Sequence, residues 1–281
     1  MKTCKIFAVA NQKGGTAKST TACNLSNALA SDGYRVLCVD MDPQANLSMS
    51  LGIERPDELT STIHDILSLI MNNDNDGFLP DKSEYIIFGE KLDIIPSNIK
   101  LSLTEMNLRN ELGSEHVLSE LLESLRPDYD YMVLDTSPSI GKLTINALAA
   151  CDSVIIPVSP QLWSATGLSD LLQTISKIKR KINPRIKIEG ILMTMCDERT
   201  RLFRDTKAFL DDYCKNKIRI FATHIPSTVK VGEANYSSSS IMDFDPKSKA
   251  AVAYIEFAKE VVGDEPTFNE IAASASAYDF R

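Results

Sequence analysis

The sequence predicts an α/β fold, a single domain built on a mainly parallel β-sheet with helices on both faces. Three observations point to it. Apolar, β-rich runs alternate with helix-period segments along nearly the whole chain, the order that generates parallel crossovers. Runs such as Met132-Val133-Leu134 and Val154-Ile155-Ile156 lack polar alternation, as strands covered on both faces do. A glycine-containing loop followed by Lys18-Ser19 sits between the first strand and the first helix, where such sheets bind phosphate groups.

Taken in order, Ile6 to Ala10 predicts the first strand and Lys18 to Ala30 the first helix. Arg35 to Asp40 is the second strand and Ile63 to Met71 a helix. Asn72 to Lys91, rich in Asn, Asp, Gly and Pro, is a loop. Leu92 to Ile95 and Tyr131 to Asp135 are strands flanking a helix from Glu115 to Leu125. After the strand Ser153 to Val158, the segment Gly167 to Lys181 places Leu168, Leu171, Leu172, Ile175 and Ile178 on one helical face. Ile186 to Met195 and Ile218 to Ile225 are the last strands, separated by a helix from Phe203 to Tyr213, and Lys247 to Val262 is the final helix. No repeat or linker intervenes, so residues 1–262 read as one domain. Residues 263–281 turn small and acidic and read as an appended tail.

The 281 residues, 43% hydrophobic and 24% charged, have a globular composition, which excludes collagen-like, low-complexity and wholly disordered classes. Six cysteines form no C-x-x-C pair and three histidines stand apart from them, so neither a metal framework nor a disulfide framework is visible. No signal-peptide apolar region and no stretch of about 20 apolar residues is present, which predicts a cytoplasmic protein without a membrane partner. The net charge of -8 argues against a polyanion partner. Yet residues 177–219 hold 13 Lys and Arg against six acids, a window of +7 in a remainder of -15. Such a window is either a solvated helix face or a surface for phosphate backbones.

The first loop reads Asn11-Gln12-Lys13-Gly14-Gly15-Thr16-Ala17-Lys18-Ser19-Thr20-Thr21. Its N–H groups and the following helix N-terminus face an anion, Lys18 supplies charge, and the Ser19 hydroxyl suits Mg2+. Against the strict pattern G-x-x-x-x-G-K-[ST], Gln12 and Ala17 replace both glycines, but a second lysine, Lys13, precedes Gly14-Gly15. Asp40 and Asp42 end the second strand and Asp135 ends the fourth, so all three should converge on the phosphates beyond the carboxyl ends of the strands.

These residues resemble the deviant Walker A loop, K-G-G-x-G-K-[ST], of the ParA/MinD family of P-loop ATPases. Asp40-Met41-Asp42-Pro43-Gln44-Ala45-Asn46 resembles the switch I motif of ParA-type partition ATPases, the Soj-like group in particular, and Asp135-Thr136-Ser137-Pro138-Ser139 resembles their Walker B motif. The likeness covers about residues 4 to 262. It implies that ATP and Mg2+ bind through Lys13, Gly14, Gly15, Thr16, Ala17, Lys18, Ser19 and Thr20. Lys18 would hold the phosphates, Ser19 and, through water, Asp135 would hold Mg2+, Asp40 would support the metal site, and Asp42 would orient the attacking water. Lys13 would reach the nucleotide of a second subunit, and Met195 and Pro226 would contact the base. Ala17 departs from the family glycine; if its backbone needs a positive φ, the cost is about 1 to 2 kcal/mol and slow turnover follows.

The resemblance further implies an ATP-dependent homodimer that binds non-specific DNA, is nucleoid-associated, and releases DNA on hydrolysis stimulated by a ParB-type partner. Arg199, Arg201, Arg204, Lys230, Lys247 and Lys249 are the expected DNA contacts, although Ser227 stands where Soj-like proteins usually carry Arg. The alternative is a MinD-like membrane-associated positioning ATPase, which calls for a basic amphipathic C-terminal helix that Glu265 to Arg281 does not resemble. An electron-carrying relative would need a Cys soon after Asp135, and a scaffold that merely binds ATP would have no use for Asp42.

Overall fold

The computed structural model describes residues 4–72, 79–109, 111, 113–161, 165–215 and 217–263. The tail expected from 263 onward lies outside these residues except for Gly263, as do 73–78 of the expected loop. Among the described residues seven strands are formed, β1 (Lys5–Val9), β2 (Val36–Met41), β3 (Asp93–Ile95), β4 (Tyr131–Thr136), β5 (Ser153–Val158), β6 (Lys187–Cys196) and β7 (Ile220–Pro226). They make one sheet in the order β3-β2-β4-β1-β5-β6-β7 with every neighbouring pair parallel. An isolated antiparallel bridge, Ile87 to Ile94, flanks its β3 edge.

The helices are α1 (Lys18–Ser31), α2 (Asn46–Ser50), α3 (Ile63–Asn72), α4 (Leu101–Asn107), α5 (Val117–Leu125), α6 (Lys142–Ala150), α7 (Ala165–Lys181), α8 (Arg201–Cys214), α9 (Val229–Tyr236), α10 (Ile241–Phe244) and α11 (Lys249–Val262). Side chains alternate across the sheet, so β1 sends Ile6 and Ala8 into one core and Phe7 and Val9 into the other. The first core is completed by Leu67, Leu118, Leu122, Leu148 and Leu171, and the second by Leu25, Leu29, Tyr254 and Phe257. In the second, the fully buried rings of Phe221 and Phe257 meet edge to face at 4.8 Å, and each contributes about 2 to 3 kcal/mol through burial. Gly190 on β6 admits this packing, because a Cβ there would come within 2.7 Å of the Phe221 ring.

All seven expected strands form, with ends shifted by a few residues. The helices that sequence periodicity missed are α2, α4, α6, α9 and α10. For α6 the reason is burial: Leu143, Thr144, Asn146, Ala147, Leu148, Ala149 and Ala150 are all enclosed, leaving little polar face to set a period. The others span one or two turns, too short for a periodic signal. The helix ends follow local caps. Thr200 Oγ1 accepts from Phe203 N at the start of α8, and Ser248 Oγ from Ala251 N at the start of α11.

Candidate nucleotide and metal site

Because the strands are parallel, their carboxyl ends share one edge of the sheet. There Val9 is the register partner of Asp135, and Asp135 that of Asp40, so the phosphate loop and two carboxylates leave adjacent strands at one level. The loop is held from below. Asn11 donates from Nδ2 to Pro157 O at 2.6 Å and accepts from Lys13 N at 3.0 Å. Thr194 Oγ1 donates to Thr16 O at 3.1 Å, tying the end of β6 to the loop. Gly15 takes φ 74° and Ala17 φ 63°, both left-handed, and Ala17 is the N-cap of α1. The positive φ expected at Ala17 is therefore present, with its alanine strain.

The two lysines differ. Lys18 is buried and donates to Lys13 O at 3.2 Å; burial pushes its pKa down, against the opposing pull of Asp135 and Asp42. Lys13 is exposed, and its ammonium has no ion pair among the described residues. A cavity of about 820 Å³ opens beside them, lined by Gly14, Gly15, Ala17, Lys18, Ser19, Thr20 and Asp42 on the loop side. Its far wall comes from α2 and α9, with Asn46, Met49, Asn235 and Tyr236 among the residues there. Sequence reasoning assigned none of these four a role. The one available signal was that Asn46 ends the switch-like run.

Asp135 is fully buried, and neither carboxylate oxygen has a hydrogen-bond partner among the described residues. Burial, and after it the neighbouring Asp40, pushes its pKa well above the carboxylate range. Ser19 and Lys18 lie near enough to offset part of this, though the Ser19 hydroxyl does not reach hydrogen-bond geometry. An orphaned pair of buried oxygens beside a hydroxyl is the donor set a hard divalent cation uses, so the residues fit magnesium. Asp40, expected to support the metal site, is held by its neighbours. Its Oδ1 accepts from Asp42 N at 3.1 Å, and its Oδ2 from Ser48 N and Ser48 Oγ at 2.8 and 2.7 Å. With both oxygens engaged, it acts on the site by holding Asp42 and α2. Asp42 in turn accepts from Gln44 N through Oδ1 at 3.0 Å and faces the cavity.

Met195 takes φ 53° at a register irregularity near the end of β6 and is partly exposed, and its neighbour Cys196 pairs with Pro226. The two expected base contacts are thus adjacent strand ends one step from the loop, although neither lines the cavity. The expected DNA contacts are also found toward this edge, but three are tied to acids. Arg199 pairs with Asp197 at 3.0 Å, Arg201 with Asp205 at 3.2 Å and Lys230 with Glu233 at 2.8 Å. Arg204 and Lys249 are exposed without an ion pair among the described residues, and Lys247 is exposed.

The sheet order, loop and strand-end carboxylates define a P-loop nucleotide-binding protein. The chain matches the AAA domain family over residues 4–188. It is 40% identical to the sporulation initiation inhibitor protein Soj of Bacillus subtilis (strain 168) over 260 residues, 92% of this chain and 99% of that one. It is 37% identical to the chromosome partitioning protein ParA of Myxococcus xanthus over 259 residues, 92% of this chain and 88% of that one. Among solved structures it resembles the cobyrinic acid a,c-diamide synthase of Mycobacterium smegmatis with bound ATP analog and magnesium. That match has a TM-score of 0.77 and 35% identity, and covers 91% and 93% of the two chains. The chain belongs to the ParA/Soj family of P-loop ATPases.

Proposed function

We propose that this ATPase partitions DNA: Mg-ATP joins two copies face to face, the dimer binds non-specific DNA, and hydrolysis to ADP and phosphate releases it. The observation that carries the reading is the contrast between the two loop lysines. Lys18 is buried near the carboxylates and lines the cavity, whereas Lys13, next in sequence to the cavity-lining Gly14, is exposed and so available to a second subunit's nucleotide. The naming of the Myxococcus xanthus relative as a chromosome partitioning protein supports the process.

Ser19 and Asp135 would hold magnesium, which when bound would supply charge neutralisation for the phosphates. The loop N–H groups and Lys18 hold the phosphates. Asp42, oriented through its own N–H to Asp40 and its bond from Gln44 N, accepts a hydrogen bond from the attacking water and aims it. Lys13 from the second subunit stabilises charge that develops as the bond breaks. A ParB-type protein is the expected trigger, and nucleoid association follows from DNA binding. Among the described residues no helix is long and apolar enough to cross a membrane.

The name of the Mycobacterium smegmatis neighbour suggests amide synthesis, and that reading lacks a nucleophile here. Releasing ammonia from an amide donor calls for a reactive thiolate, yet all six cysteines are buried. Burial pushes Cys4 up to about 11 and Cys23 to about 12.

Retention of the protein on non-specific DNA at about 50 mM salt, compared in Mg-ATP and ADP, tests the reading. Mg-ATP should retain it and ADP should not. Lys13→Ala should lose ATP-dependent dimerisation in size-exclusion chromatography, and Asp42→Ala should dimerise but lower phosphate release about 100-fold or more. Equal retention in both nucleotides would overturn the proposal.

A further inference from the structure

The basic window seen in the sequence is split by the fold. Arg199, Arg201 and Arg204 follow the carboxyl end of β6, while Lys177 to Lys187 surround its amino end, about 30 Å away along a ten-residue strand. Around that amino end Lys177, Lys179, Arg180, Lys181, Arg185 and Lys187 are all exposed, with no ion pair among the described residues.

A cleft of about 700 Å³ lies here, lined by Lys5, Asp152, Lys179, Arg185, Lys187 and Glu189 among others. Its two acids are already matched, Asp152 with Arg126 at 3.0 Å and Glu189 with Lys5 at 3.0 Å. Lys179, Arg185 and Lys187 are left as unbalanced charge. The cleft opens on the side of the sheet that carries α1 and α11. Lys5 shares its face of β1 with Phe7, lying 4.7 Å from that ring, and Phe7 belongs to the core that Tyr254 and Phe257 complete. Ser153, which donates to Glu189, likewise shares its face of β5 with Ile155 of the same core.

The final helix runs toward this place. α11 ends at Val262 beside the start of β7, where Glu260 accepts from Ala222 N and Thr223 N at 2.9 and 2.7 Å and pairs with Arg219 at 3.4 Å. Ile220 opens β7 in register with Ile191, four residues past Lys187, so the cleft begins about 13 Å further toward the amino edge. Seven residues of extended chain reach about 23 Å, and the seven that follow Gly263 include Asp264, Glu265 and Glu270. Residues 264–281 hold four acids against one arginine and no lysine.

We propose that the acidic run beginning at Asp264 docks in this cleft of its own chain, its carboxylates meeting Lys179, Arg185 and Lys187. Three carboxylates stand within reach of three unpaired cations, and so short a tether presents them at a local concentration on the order of mM. A free partner of equal charge must compete with that. The contact neutralises the amino edge and leaves the carboxyl edge, where the nucleotide cavity lies, as the surface open to polyanions. The inference goes beyond the proposed function and needs no part of it.

The test is lysine acylation of the full chain without nucleotide, read residue by residue by mass spectrometry. In the combined variant Asp264→Asn, Glu265→Gln and Glu270→Gln, Lys179 and Lys187 should react about threefold faster than in the unmodified chain, while the exposed Lys100 and Lys249 keep their rates. Salt at about 0.5 M should erase the difference, since it screens exposed pairs. Carbodiimide coupling in a mixture of isotope-labelled and unlabelled chains should join Lys179 or Lys187 to Glu265 or Glu270 within one chain, and thermal melting checks that the variant folds. Equal acylation of chain and variant overturns the proposal. So does coupling found only between labelled and unlabelled chains, which would make the occupant a neighbouring copy. If Mg-ATP leaves DNA retention unchanged while the variant still exposes the two lysines, the partition reading falls and this contact stands.

Discussion

Ala17 begins α1 in a left-handed conformation, lines the phosphate cavity, and carries a methyl that the adjoining Gly15 avoids at its own positive φ. Ala17→Gly removes strain of about 1 to 2 kcal/mol but loosens the unfolded chain, so the net gain in stability should be at most about 1 kcal/mol. Phosphate release should rise several-fold, since the methyl no longer crowds the phosphates. Melting and hydrolysis both unchanged would show that the alanine is unstrained in function. Asp135 is destabilising without its ligand. Its pKa is raised in the folded protein, so the fold holds that proton more tightly than the unfolded chain, and stability falls as pH rises above about 4. In chelator without nucleotide, Asp135→Asn should therefore melt higher than the unmodified chain at pH 8, by about 1 to 2 kcal/mol, with the gap closing toward pH 4. The same variant should lose Mg-ATP hydrolysis. Equal melting at pH 8 would contradict the burial argument.

At the scale of elements, the site depends on short connections that tie α2 to two strands. Ser48 Oγ donates to Asp40 Oδ2 and accepts from Ser97 N at 3.0 Å, joining the end of β2, α2 and the segment after β3. Ser48→Ala leaves a buried N–H unpaired and a buried carboxylate short of one donor, and should cost about 2 to 4 kcal/mol by denaturant titration. A loss below about 1 kcal/mol would mean that water replaces the hydroxyl. The α9–α10 segment is tied to α1 in the same way, through Asn235 Nδ2 to Thr20 Oγ1 at 3.2 Å and Ile241 N to Asn24 Oδ1 at 2.9 Å. Lys230 thus sits on a segment bonded to the first turn of the phosphate helix, a route by which nucleotide occupancy can be felt at the edge proposed to contact DNA.

Across the whole molecule, the nucleotide site is an edge feature of one parallel sheet, and its ligand should stabilise the entire fold. At nucleotide about 100 times Kd, binding adds about 2.7 kcal/mol, which for a chain of this size raises the melting temperature by about 5 °C or more. Differential scanning fluorimetry with ATP should show that shift with magnesium and a smaller one in chelator. A shift indifferent to magnesium would argue against Ser19 and Asp135 as its holders.

Order of elements, strand identity and the phosphate loop were legible in the sequence, because a parallel strand buried on both faces must be apolar throughout and a loop that cradles phosphate must carry glycines and a lysine. Lys18, Asp42 and Asp135 were legible for the same reason, since each ends or follows such a strand. Tertiary structure alone decided what those residues face. Asp40 and Asp135 look alike in sequence, yet Asp40 has both oxygens satisfied by Ser48 and Asp42, and Asp135 has neither satisfied. The basic window is continuous along the chain, but β6 carries Arg199, Arg201 and Arg204 to the edge opposite Lys177 to Lys187; Arg199 and Arg201 pair with acids there, whereas none of the cations of 177–187 has an ion pair among the described residues. Sequence distance measures neither, because hydrogen bonds and charge fields act through space, and it is the crossing of the sheet that turns neighbours along the chain into surfaces about 30 Å apart.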